Sequence, residues 1–174
     1  MAEHPDYDEW WRARDTRRAC YNIRPAMLVV GGTFDAEDCY GAWNLYKAVL
    51  RQSARTPLHL VVGPWAHGAW RGDGRTLGDF DFGEEASGAY YMEHFEAPFF
   101  DCYLWARDTV DRLPPVAAFS SGDNRWHTFG RWTPSEARKL TLYLAEGGRI
   151  TTEKPTVKNS STSYTSDPAD PVPY

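Results

Sequence analysis

The stretch Pro25–Trp43, "PAMLVVGGTFDAEDCYGAW", decides how this chain is read. It opens on an unbroken apolar run, Ala26–Val30, closed by Gly31 and Gly32. Strict alternation would mark a strand with one wet face. A continuous run bounded by glycines predicts instead a strand buried on both faces, as in a parallel sheet. Past the glycines stand three acids, Asp35, Glu37 and Asp38. Residues 37–52, "EDCYGAWNLYKAVLRQ", then read as a helix. Tyr40, Trp43, Tyr46 and Leu50 recur at helical spacing, and Ala42, Leu45 and Val49 widen the stripe. A second apolar run, Pro57–Trp65, follows. Strand, helix, strand in that order is a crossover long enough for the two strands to run parallel.

Working outward, residues 5–19 are expected to form a short helix with Trp10, Trp11 and Arg14 on one face, acids early and arginines late, as the helix dipole favours. After Trp65 comes a loop rich in glycine and acids, then a helical stretch over 86–106 that Pro98 kinks or divides. Near "RLPPVAAF" the character changes. From Val116 the chain reads as short strands and turns, and Leu140, Leu142 and Leu144 alternate with Thr141 and Tyr143 before Gly147 and Gly148, the pattern of a half-buried strand and turn. A boundary between an α/β part and an all-β part is therefore expected at 113–115. The tail 151–174, rich in Ser, Thr and Pro, would be a linker if it stood alone.

Bulk composition narrows the function classes. The chain has 174 residues and a formal charge of −5, with no basic stripe, so a nucleic-acid partner is not expected. Eight Trp, ten Tyr and eight Phe speak for a packed body rather than disorder. No apolar run approaches the roughly 20 residues of a membrane helix, so no membrane partner is expected either. Cys20, Cys39 and Cys102 are odd in number and widely spaced, which argues against a disulfide framework or a zinc site and for buried free thiols.

Chemistry in open parallel sheets gathers just beyond the carboxyl ends of the strands. Asp35 follows the first run there, and His67, in "GPWAHG", follows the second. An Asp that orients a His is the acid–base half of a nucleophilic triad, and Asp before His fits the Ser, Asp, His order of α/β-hydrolases. Each residue also has a plain reading: an Asp before a helix is commonly an N-cap, and a His after "GPW" is a loop residue. Glu37 and Asp38 suit a first helical turn, where the dipole favours acids by about 0.3–1 kcal/mol each. They could equally grip a cation such as a substrate ammonium. A metal site built from Asp35, Glu37, Asp38 and His67 ranks lowest, because no second His supports it. Trp65, Trp70 and His127 read as packing or surface residues. No G-x-S-x-G occurs, so the sequence shows an acid and a base without a nucleophile.

Taken together, "VVGGTFDAEDCYGAW", "LVVGPWAHGAW", "APFFDCYL", "FSSGDNRW" and "SDPADPVPY" resemble the CocE/NonD hydrolases of the S15 peptidase superfamily, with α-amino-acid ester hydrolases and glutaryl-cephalosporin acylase-like proteins nearest. The resemblance runs over nearly the whole chain. It implies the C-terminal part of an α/β-hydrolase sheet followed by the start of an all-β jelly-roll domain. On that map residues 1–23 end a helical cap, 24–113 belong to the hydrolase domain, and 114–174 open the jelly roll. It implies that Asp35 is the triad acid, His67 the triad base, and Glu37 and Asp38 binders of a substrate α-ammonium. It further implies that the serine lies outside this chain, an internal fragment of a longer enzyme, and that the substrate is a small ester or amide: an α-amino acyl ester, a β-lactam acyl group or an X-Pro peptide. No cofactor or metal is implied, homo-oligomers occur among full-length relatives, and the compartment is left open. A metal-assisted hydrolase and a catalytically silent remnant or binding module are the alternatives.

Overall fold

Strand β1, Met27–Gly32, and strand β2, Leu58–Gly63, lie parallel and in register from Met27 opposite Leu58 to Gly32 opposite Gly63. The computed structural model describes residues 3–106, 113–157 and 159–171. The helix between the two strands, α2, spans Cys39–Gln52. Its inward face sets Tyr46 against Val29, Leu60, Val62 and Val116, with Ala42, Trp43 and Leu45 packed around them. The opposite face of the sheet carries Val61 and Ala117, with Leu28 and Val30 beside them, and is covered by Trp65, Tyr91 and Phe95. Alternate residues of each run thus enter different cores, which is why the runs, His59 apart, are apolar on both faces.

Gly31 and Gly32 are needed by close approach. A Cβ on Gly31 would stand 2.8 Å from the Ala42 Cβ, and one on Gly32 only 2.0 Å from the Trp65 carbonyl oxygen. Trp65 is fully buried, and its indole N–H donates to the Ala86 carbonyl at 2.7 Å. The chain continues through a hairpin, β3 (Thr76–Leu77) with β4 (Phe80–Asp81). A helical run follows: α3 (Gly88–Tyr91), one π-helical segment (Met92–Glu96) and α4 (Ala97–Trp105). Pro98 stands at the start of α4, where its missing N–H costs nothing to a new helix, so the stretch expected over 86–106 is divided by a widened turn rather than broken.

Several expectations are corrected. The N-terminal helix expected over 5–19 is two short pieces, α1 (Glu9–Arg12) and a 3-10 turn (Thr16–Ala19), because Asp8 and Asp15 each cap a turn with their side chains. Of the three cysteines, all free, only Cys20 is buried. The boundary expected at 113–115 does not separate two bodies. Strand β5, Val116–Ser120, pairs parallel with β2, and β6, Arg125–Phe129, pairs antiparallel with β5, so the sheet runs β1-β2-β5-β6. Val116 and Ala117 are as buried as β2, and this apolar content outweighs the short strands and turns after Val116 that suggested a new all-β part. The division falls instead between Met1–Ser135 and Glu136–Tyr174.

The second unit holds one antiparallel ribbon among its described residues, β7 (Tyr143–Ala145) with β8 (Arg149–Thr151). Gly147 and Gly148 take left-handed φ values of 72° and 69° in its turn, as the sequence led one to expect. The half-burial expected of the leucines does not hold: Leu140, Leu142 and Leu144 are 71%, 54% and 85% exposed. Among the described residues of this unit no second layer covers them, and two strands alone build no core.

Gly32→Ala is expected to destabilise the protein by about 1–3 kcal/mol, the usual cost of overpacking. Gly130→Ala, where an added Cβ meets nothing within 4 Å, should leave stability within about 0.5 kcal/mol. Urea unfolding of both variants checks this.

Candidate active site

The backbone continues the β1–β2 ladder past its last strand pair. The Thr33 N–H and the Thr33 hydroxyl both donate to the Gly63 carbonyl, each at 2.9 Å, and the Phe34 N–H donates to the Trp65 carbonyl at 3.1 Å. The segment leaving β1 is thereby laid alongside the segment leaving β2. Asp35 and His67 are the next chemically capable side chains on each.

They meet. Asp35 Oδ2 lies 3.1 Å from His67 Nδ1. The Asp35 side chain is 1% exposed and that of His67 55%. The other carboxylate oxygen, Oδ1, accepts the backbone N–H groups of Glu37 and Asp38, both at 2.9 Å. The capping role and the site role offered by the sequence are therefore not alternatives. One oxygen organises the turn before α2 and the other faces the imidazole.

Electrostatics follow from these contacts. Burial pushes the Asp35 carboxyl upward, but the N–H groups of Asp38 and Glu37, together with His67, outweigh it and hold the group below its ordinary value. Asp35 is then ionised at neutral pH and can only accept, so His67 Nδ1 must donate. In the neutral ring this leaves the lone pair on Nε2, which makes no hydrogen bond among the described residues. The His67 pKa is raised, first by the hydrogen bond to Asp35, then by the charges of Asp35, Glu37 and Asp38, with burial opposing.

Glu37 and Asp38 are exposed and precede the helix rather than opening it, since α2 begins at Cys39. Asp38 occupies the N-cap position but makes no side-chain capping bond. Its Oδ2 lies 3.6 Å from His67 Nδ1. Asp35, Asp38 and His67 offer ligand atoms within 4.8 Å of one another. Both Asp35 oxygens are already accepting hydrogen bonds, however, and the set contains a single imidazole, so the donors suit a shared proton better than an ion.

The remaining sequence candidates fall into supporting roles. Trp65 packs against Tyr91, Trp70 and Trp126, anchoring the loop that carries His67. Gly68, at φ 70°, turns the chain immediately after His67. His127, in β6, pairs at 2.9 Å with Asp123 of the β5–β6 turn. Two residues escaped sequence reasoning. Thr33 doubles the bridge to Gly63, and its only signal was its place after the glycines. His59, buried in β2, bonds the Pro114 carbonyl and the Tyr103 hydroxyl, both at 3.0 Å, inside a run that reads as wholly apolar. No helix among the described residues is long and apolar enough to cross a membrane.

Residues 1–69 match the family described as X-Pro dipeptidyl-peptidase (S15 family). The chain is 25% identical over 185 aligned residues to a cocaine esterase from Rhodococcus sp. (strain MB1 Bresler), covering 99% of this chain and 31% of that protein. Among solved structures it is similar to an aminopeptidase from a marine sediment archaeon, Thaumarchaeota archaeon, with 37% identity, a TM-score of 0.85, and coverage of 99% of this chain and 28% of that one. It is also similar to an α-amino acid ester hydrolase, with 31% identity, a TM-score of 0.78, and coverage of 98% and 29%. The chain thus spans less than a third of the length of each of these relatives.

The raised His67 pKa and the lowered Asp35 pKa give opposite pH signatures. The stabilisation from His67 is complete below about pH 6.5, the free imidazole value, and is lost as pH rises through the raised folded midpoint. That from Asp35 is present above about pH 3.9 and is lost as pH falls through its lowered midpoint. Asp35→Asn keeps an acceptor for the two backbone N–H groups but removes the charge. His67 observed by NMR should titrate above free imidazole in the wild type and clearly lower in this variant.

Proposed function

Because this chain is a relative of the S15 hydrolases, we propose that it carries the acid and base of a serine hydrolase acting on ester or amide bonds. The observation that carries the reading is the contact between buried Asp35 and solvent-facing His67 just beyond two parallel strands. Asp35 holds Nδ1–H, fixing the tautomer and orientation of the ring. His67 Nε2 takes the proton of an attacking serine hydroxyl and later returns it to the leaving group, while Asp35 stabilises the imidazolium formed in between. With no G-x-S-x-G among the 174 residues, the serine comes from outside them, in keeping with the greater length of the relatives. The 174-residue chain alone is then catalytically silent.

The substrate class within this reading is a small acyl compound bearing an α-ammonium, such as an α-amino acyl ester. It is supported by the similarity to an α-amino acid ester hydrolase and by two exposed carboxylates, Glu37 and Asp38, beside the base. The test is to express the chain together with the coding sequence preceding Met1 and to assay hydrolysis of α-amino acyl esters. His67→Ala is expected to lower kcat by about 10²–10⁴-fold, the range for losing a general acid–base. A parent without a serine elbow, or activity that survives this substitution, overturns the proposal.

A further inference from the structure

His59 is the one polar side chain of strand β2, and it is buried. Both ring nitrogens are bonded: Nδ1 to the Pro114 carbonyl and Nε2 to the Tyr103 hydroxyl, each at 3.0 Å. A carbonyl can only accept, so Nδ1 donates, and in the neutral ring the Nε2 lone pair takes the Tyr103 O–H. Tyr103 lies in α4 and Pro114 leads into β5, which pairs with β2. One imidazole therefore holds both ends of the connection that returns the chain to the sheet.

Tyr103 is the last of four aromatic residues spaced by four, Tyr91, Phe95, Phe99 and Tyr103. The others also reach inward. Tyr91 packs on Trp65 with ring centroids 5.5 Å apart, Phe95 on Trp126 at 4.8 Å, and Phe99 on His59 itself at 6.0 Å. An unbroken α-helix would not allow this. Four residues overshoot a 3.6-residue turn by about 40°, so three such steps carry a stripe about 120° round the helix. The π-helical segment Met92–Glu96 removes most of that drift. Its turn, closed by the Ala97 N–H on the Met92 carbonyl, is wider and advances less per residue. Such a turn is rare and persists where contacts on both sides of it demand its register. Before it, the Ser87 hydroxyl caps the Tyr90 N–H and the Gly88 N–H donates to the Asp73 carbonyl. After it, the directional contact of the stripe is the bond between Tyr103 and His59.

We infer that His59 is a positioning residue for His67: by holding Tyr103 it maintains the π turn that seats Tyr91 and Phe95 around Trp65, the anchor of the loop that carries the base. Burial alone does not call for an imidazole here, since an apolar side chain fills such a place without needing partners. With the clasp gone, the wide turn relaxes toward α and swings Phe99 and Tyr103 off the sheet, drawing Phe95 with them. Trp65 then loses part of its cover. Its carbonyl holds the Phe34 N–H beside Asp35, and His67 follows it by two residues, so a looser Trp65 loosens the Asp35–His67 contact from both sides. The inference concerns that contact and does not depend on where the serine comes from.

The test uses three variants of the 174-residue protein. Tyr103→Phe removes a single hydroxyl, His59→Leu removes both bonds, and His59→Gln returns one donor and one acceptor. NMR reads the His67 titration midpoint, exchange of the Trp65 indole N–H and the helical pattern over 92–96. In Tyr103→Phe and His59→Leu the indole N–H should exchange about two- to tenfold faster, the span for losing one net hydrogen bond. The His67 midpoint should fall toward that of Asp35→Asn, residues 92–96 should turn α-helical, and His59→Gln should reverse each change at least in part. A residue with only a structural role would lower the unfolding midpoint and leave the His67 titration where it was. An unchanged His67 midpoint in Tyr103→Phe overturns the inference, and this partly exposed site decides even if His59→Leu does not fold. An equal fall in His59→Gln and His59→Leu also overturns it, because the hydrogen bonds would then not be the cause. Hydrolysis by the longer protein is read separately, so its absence with these shifts present overturns only the hydrolase reading.

Discussion

The site depends on two backbone carbonyls, those of Gly63 at the end of β2 and Trp65 beyond it, accepting N–H groups from Thr33 and Phe34 past the end of β1. A parallel pair normally splays once its ladder stops, and the segments beyond it are free to diverge. Here the ladder is carried on, with the Thr33 hydroxyl adding a second donor to Gly63. Those bonds require Gly32 to approach the Trp65 carbonyl more closely than any side chain would permit. They also require Trp65 to be immobile, which its burial among Tyr91, Trp70 and Trp126 and its bond to Ala86 ensure. Glycine, tryptophan and the carbonyls between them form one mechanical unit whose product is the meeting of Asp35 with His67.

Within that unit a single aspartate acts on both sides of its carboxylate. Capping the turn before α2 fixes the Asp35 plane through Oδ1, so Oδ2 is aimed without a second supporting residue. The backbone donors that fix it also keep it ionised against the cost of burial, and an ionised acceptor leaves His67 one choice of tautomer. Local helix-start physics and the orientation of a base are the same interaction viewed from its two oxygens. The neighbouring acids, Glu37 and Asp38, lack such restraint, which leaves their charges available to the ring and to solvent.

Much of this was legible in the residues. The double-sided apolar runs announced a buried parallel pair, and Asp35 and His67 stood at equivalent places after them. What misled were signals whose meaning depends on neighbours. The short strands and turns after "RLPPVAAF" looked like the opening of a new all-β part, but Val116 and Ala117 pair with β2 and extend the existing sheet. Leu140, Leu142 and Leu144 have the alternation of a covered strand, yet no described residue of their unit supplies a second layer. His59 was hidden by the apolar residues around it, because a buried imidazole becomes acceptable only when partners such as the Pro114 carbonyl and the Tyr103 hydroxyl arrive from distant positions.

By itself, the sequence determined the elements around the site and the chemical types available there, since periodicity and residue chemistry are local properties: an α/β crossover, glycines at the strand ends, a carboxylate and an imidazole each just past a strand. Only the tertiary structure decided which groups touch. It assigned Asp35 both a cap and an imidazole, turned Asp38 away from its helix toward His67, and joined β5 to β2. The physical reason is distance. Hydrogen bonds and ion pairs act over a few ångströms, and residues far apart along a chain come within that range only when packing and backbone pairing bring their segments together.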